Sequence, residues 1–103
     1  MKSIITELAK EQIRQIAKYI RKEFGKDRRD EFIKEVRQTR RLIERSPNIG
    51  PVESLLVERP VMYRSYVMNH LNKIVYRIEG DIIYIVALWD VRRDPTTLAN
   101  EVK

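Results

Sequence analysis

The chain has 103 residues, 43% of them hydrophobic and 35% charged, with 21 Lys/Arg against 15 Asp/Glu for a net charge of +6. That length supports one core but not two. The absence of cysteine excludes disulfides, thiolate metal sites and Cys nucleophiles, and no uncharged apolar run reaches the ~18 residues of a membrane span. The basic excess favours an anionic partner, either nucleic acid or an acidic protein. It is concentrated early: residues 1–58 hold 14 Lys/Arg and 10 Asp/Glu, residues 59–103 hold 7 and 5. Most of it therefore falls on the predicted helices, where a solvated face is the plain reading.

Lys2–Thr6 is a short apolar piece that can open the fold as a strand. Its surroundings contain no apolar run long enough for a signal peptide, so a cytoplasmic setting is expected. Thr6 is a fair N-cap, and Glu7 places negative charge in a first helical turn. The stripe Ile13, Ile16, Ala17, Ile20 and Phe24 predicts a helix over 7–24, stopped by Gly25. Asp27 can cap a second helix, with Phe32, Val36, Thr39 and Ile43 inward and Ser46-Pro47 as its end. So short a link predicts a helical hairpin with one apolar side. Asn48-Ile49-Gly50-Pro51 reads as loop, and 52–60 fits a helix, a strand or a packed loop.

From Val61 the pattern changes to period 2, with Tyr63, Ser65 and Val67 opposed to Met62, Arg64, Tyr66 and Met68. His70-Leu71-Asn72 turns into a strand in which Ile74, Tyr76 and Ile78 alternate with Lys73, Val75 and Arg77. Gly80-Asp81 is a tight hairpin link. Ile82–Trp89 is almost unbroken apolar sequence, the mark of a central strand covered on both faces. The tail from Pro95 is polar, and 96–103 reads as a flexible end or a short helix. The expected architecture is a single α+β domain over 1–103, a helical hairpin packed on a curved antiparallel sheet in the order β-α-α-β-β-β.

Several chemistries are absent. The three glycines are isolated, so there is no phosphate loop. One histidine, His70, builds neither a metal site nor a triad, and no strand carries a carboxylate pair of glycosidase type. No cofactor is implied. Tyr63, Tyr66, Tyr76, Tyr84 and Trp89 sit on strands, where packing is the default and base stacking the alternative. The remaining candidates are basic: Arg64, Lys73 and Arg77 on neighbouring strands, then Arg92 and Arg93 beyond the central strand. Guanidiniums bind phosphate bidentately and stabilise developing anionic charge. RNA chemistry also needs a group to activate the 2′-hydroxyl, and neither Lys73 nor His70 has an evident tuning partner. Alternatively, Arg92 and Arg93 pair with Asp90 and Asp94.

The ordered set Leu8-Ala9, Tyr19-Ile20, Phe24-Gly25, Leu42, Ser46-Pro47 and Gly50 resembles the RelE/ParE superfamily of bacterial type II toxins. The resemblance continues through Tyr63-Arg64-Ser65, Lys73–Ile78 and Trp89 to Arg92-Arg93-Asp94-Pro95. It implies a growth-arresting toxin, of the plasmid-stabilisation type, held inactive by a cognate antitoxin. It also implies contact with operator DNA through that complex, and it allows a homodimer or a heterotetramer with the antitoxin. RelE-like members cleave mRNA in the ribosome, which assigns Arg64, Lys73, Arg92 and Arg93 as the catalytic candidates. ParE-like members poison DNA gyrase through a complementary surface, for which Arg64, Lys73, Arg77, Trp89, Arg92 and Arg93 are the contact candidates. Tyr66 stands where a second strand lysine is expected in the nuclease branch, and no Tyr or His follows Tyr84. The long first helix and the Arg-Arg-Asp-Pro ending are similar to the ParE-like branch. A third expectation is an inactive homologue that binds only antitoxin and operator DNA.

Overall fold

The computed structural model describes residues 1–91 and 101–102. Strand β1 (Lys2–Ile5) leads into α1 (Glu7–Phe24) and α2 (Lys26–Arg45). A 3₁₀ turn (Ser54–Leu56) precedes β2 (Tyr63–Val67), β3 (Asn72–Glu79) and β4 (Ile82–Asp90). The sheet order is β1-β4-β3-β2, and the helix pair covers one face of it. The α+β class and element order agree with the sequence. The sheet itself is mixed, because β1 pairs parallel with β4 while β2, β3 and β4 form the antiparallel meander. The helix pair and the β2–β3 hairpin that lie between β1 and β4 in the chain supply the long connection a parallel pairing needs.

Local chemistry accounts for the helix limits. Thr6 Oγ1 accepts from the Ala9 amide at 3.4 Å at the start of α1. Gly25, at φ 94°, both ends α1 and begins α2. That left-handed backbone suits glycine and strains other residues. Asp27 is therefore not the cap of α2; it lies in the first turn, where its negative charge is stabilised by the positive end of the helix dipole. Phe32, Val36, Thr39 and Ile43 are buried as the 3.6-residue spacing requires. The α1 stripe is shallower: Ile13, Ile16, Ala17 and Ile20 are half-buried, and Phe24 is 62% exposed.

β4 is buried on both faces. Ile83, Ile85 and Leu88 join Ile74, Tyr76 and the helices, while Val86, Ala87 and Trp89 join Leu56, Tyr63, Val75 and Val102 on the outer face. The consecutive residues Val86 and Ala87 share a face because the ladder is interrupted: Val75 pairs with Ala87 and Tyr76 with Ile85. Val86 is the extra residue of a β-bulge. The outer face is closed by the 3₁₀ turn and by Val102, 2% exposed, so the far end of the chain returns to the sheet.

Candidate functional site

The ambiguous segment 52–60 turns out to be a strap along the free edge of β2. Val52 bridges to Arg64, the Glu53 amide donates to Tyr63 O at 2.8 Å, and the Ser65 amide donates to Pro51 O at 3.0 Å. Glu53 then starts the 3₁₀ turn, its Oε1 accepting from the Leu55 amide at 3.2 Å. Its other oxygen receives Lys73 Nζ at 2.6 Å, with the two side chains 4% and 15% exposed. Burial by itself raises the Glu53 carboxyl pKa, but hydrogen bonds from Lys73, Ser65 and the Leu55 amide, with the Lys73 charge, outweigh it and hold it below its ordinary value. Glu53 is thus a buried anion, and Lys73 is its counter-ion.

Arg64 lies on the opposite face. Its guanidinium donates to Gly50 O at 2.8 Å, beside Tyr76, whose hydroxyl donates to Pro47 O at 2.7 Å and accepts from the Gly50 amide at 3.1 Å. Burial pushes the Tyr76 phenol up, against the pull of the Gly50 amide and the Arg64 charge. Glycine is required at 50 because a Cβ there would stand 2.5 Å from Ser65 O. Arg77, on the outer face, lies over the Tyr84 ring at 4.4 Å and reaches Glu79 at 3.3 Å. Lys73 and Arg77 are separated by about 13 Å of strand at the usual rise. Arg64, Lys73 and Arg77 therefore do not converge on one phosphate-sized anion. Trp89 is 1% exposed in the outer core, so its indole offers no surface to a docked target while the sheet is closed. Arg92 and Arg93 lie outside the described residues. His70 is exposed on the β2–β3 turn. Among the described residues no His/Cys/Asp/Glu cluster could hold a metal, and no helix is long and apolar enough to cross a membrane.

Two features stand outside the sequence expectations. Glu53 is one: an acid set before Ser54-Leu55-Leu56 in an otherwise apolar stretch carries the pattern of a turn cap. The other is a groove of about 720 Å³ between the helices. Its floor is Ile5, Ile13, Ala17, Ile33 and Val36, and its rim is Lys10, Arg14, Arg29, Arg37 and Arg40 against Asp30. Lys10, Arg14 and Arg29 pair along their own helices with Glu7, Glu11 and Asp30, and Arg40 reaches Ser3 O at 2.9 Å. Arg37 has no carboxylate partner among the described residues. The helical cations thus border an apolar channel as well as solvent. Their signal lay in the interleaving of basic residues with Ile13, Ala17, Ile33 and Val36.

A helical hairpin against a four-stranded sheet, with cations along its helices, is the architecture that the RelE/ParE resemblance implies. Residues 4–95 match the profile of the ParE toxin of type II toxin-antitoxin system, parDE, and the chain belongs to that family. Among solved structures it is similar to a chain of the chromosomal ParDE TA system from P. aeruginosa, with a TM-score of 0.73 and 16% identity. That similarity covers 89% of this chain and 97% of the other, and at such identity it speaks for the fold. No curated protein matches the sequence.

Proposed function

We propose that this chain arrests growth by ParE-like interference with DNA gyrase and is neutralised by a cognate antitoxin. The observation that carries the reading is the internal commitment of its strand cations. Lys73 neutralises Glu53, Arg64 binds Gly50 O, and the two lie on opposite faces of the sheet. An RNA-cleaving site needs a proton acceptor and a phosphate clamp on one surface. A surface-contact inhibitor needs neither. Arg92 and Arg93, which follow the central strand in sequence, are the contact residues of this proposal.

The antitoxin segment we infer is acidic and amphipathic, folding on the toxin as it binds. The groove between α1 and α2 supports this, since five basic side chains and one acid border its apolar floor. Purified toxin added to gyrase is expected to inhibit supercoiling and accumulate cleaved complexes. No effect at saturating toxin, together with codon-positioned cuts in translated mRNA, would overturn the gyrase reading in favour of a ribosomal nuclease.

A further inference from the structure

The apolar stripe of α1 borders a second cleft on its other flank, with the opposite charge. This cleft, of about 490 Å³, lies between the later turns of α1, the first turns of α2 and the β2–β3 turn. Ile16, Ile20 and Leu71 are half-buried on its floor, above Phe32 and Leu88. Tyr19 and Phe24, 60% and 62% exposed, form an edge-to-face pair with centroids 6.4 Å apart along one wall. Two such aromatics left in water are a large unpartnered apolar area for a chain of this size.

The rim decides what fits. Glu31 and Glu35 line the α2 side of the cleft, and among the described lining residues Arg28 is the one Lys or Arg, itself 3.6 Å from Glu31. Its α2 rim therefore carries net negative charge on a chain whose net charge is +6. Phosphate backbones and acidic segments are disfavoured there by like charge. The polar frame is already in place: Asn69 Nδ2 donates to Glu35 at 2.9 Å, while Asn69 Oδ1 accepts from the Leu71 and Asn72 amides at 2.8 and 2.9 Å. A preformed cleft costs an incoming ligand little reorganisation.

We propose that this cleft docks a basic amphipathic segment of a protein partner, seating a large apolar side chain on Ile16, Ile20 and Leu71 with Lys or Arg beside Glu31 and Glu35. It is separate from the groove assigned to the acidic antitoxin segment, so the chain can hold two partners of opposite charge on the two flanks of α1. The site stands whether or not gyrase is the target.

The test uses the full chain and two fluorescein-labelled helical peptides with the same Leu/Trp face, one carrying Lys on its polar face and the other Glu. The Lys peptide is expected to bind at least about tenfold tighter, with the preference shrinking in salt. Amide NMR shifts should map to Ile16, Ile20 and Leu71. Glu31→Lys, at a side chain 69% exposed, should weaken the Lys peptide several-fold without loss of fold. Glu35→Gln, which keeps an acceptor for Asn69, should weaken it further. Equal binding of both peptides, indifference to Glu31→Lys, or shifts confined to the groove lined by Ile13 and Ile33 would overturn the proposal. So would dilution-dependent shifts in the cleft without peptide, which would make a second copy of the chain its occupant.

Discussion

Lys73 on β3 and Glu53 at the head of the 3₁₀ turn form an ion pair of 2.6 Å across 20 residues of sequence. It fastens the edge strap to the sheet. Removing one partner of a buried pair leaves an uncompensated charge and costs about 3–5 kcal/mol, whereas apolar replacement of both is often neutral. Lys73→Met is therefore expected to lower the unfolding free energy by about 3 kcal/mol. Lys73→Met with Glu53→Leu should recover most of that loss. Urea denaturation of the wild type, the single variant and the double variant measures the coupling.

Acid should act on the same contact. The folded Glu53 carboxyl titrates below its ordinary value, so between the two values the unfolded chain binds more protons than the folded one. The stabilisation is present above the ordinary glutamate range, near about pH 4.3, and is lost as pH falls through the folded value. Below that range the wild type is expected to lose stability more steeply than Glu53→Gln. Parallel pH profiles of the two proteins would remove Glu53 as the cause.

The loop after α2 depends on close approach. Gly50→Ala sets a methyl against the backbone of Ser65, an overpacking expected to cost about 1–3 kcal/mol. Tyr76→Phe removes the donor to Pro47 O and the acceptor of the Gly50 amide, again about 1–3 kcal/mol. In a domain of this size each kcal/mol is read as a Tm shift of about 4–8 °C. Because the two changes disturb the same loop, the double variant should lose less than the sum.

Trp89 and Arg77 should separate scaffold from surface. Trp89→Ala is expected to cost about 3–5 kcal/mol, since the indole lies in the outer core. Arg77→Ala removes a partly exposed contact with Tyr84 worth about 0.5–1 kcal/mol. In a gyrase assay, Trp89→Phe should inhibit as well as wild type once corrected for the folded fraction. A specific loss of inhibition with the fold intact would return Trp89 to the contact surface.

Where a single element dictated the outcome, the sequence was readable. Phe32, Val36, Thr39 and Ile43 had to share a face at helical spacing, and Ile82–Trp89 carried too few polar groups for a solvated strand face. What depended on distant partners was not readable. Nothing local in Lys2–Ile5 says that it joins β4 in parallel, and nothing near Lys73 says that Glu53 will neutralise it. Arg64 and Lys73 read as a basic cluster because alternation shows which residues share a strand face, not what each face meets across the fold. The two clefts were hidden for a related reason: one helix presents its half-buried stripe to both.

The bulge at Val86 makes β4 tolerant of a change in length at one position. Ile85 faces the helices, and Val86 and Ala87 both face away from them, so deleting Val86 would leave Ala87, Leu88 and Trp89 on their present sides. Removing any residue from Ile83 to Ile85, with the bulge kept, would instead put the strand out of phase with its neighbours. A one-residue deletion along this central strand is therefore survivable at the bulge, at the cost of one valine's packing, and disruptive elsewhere.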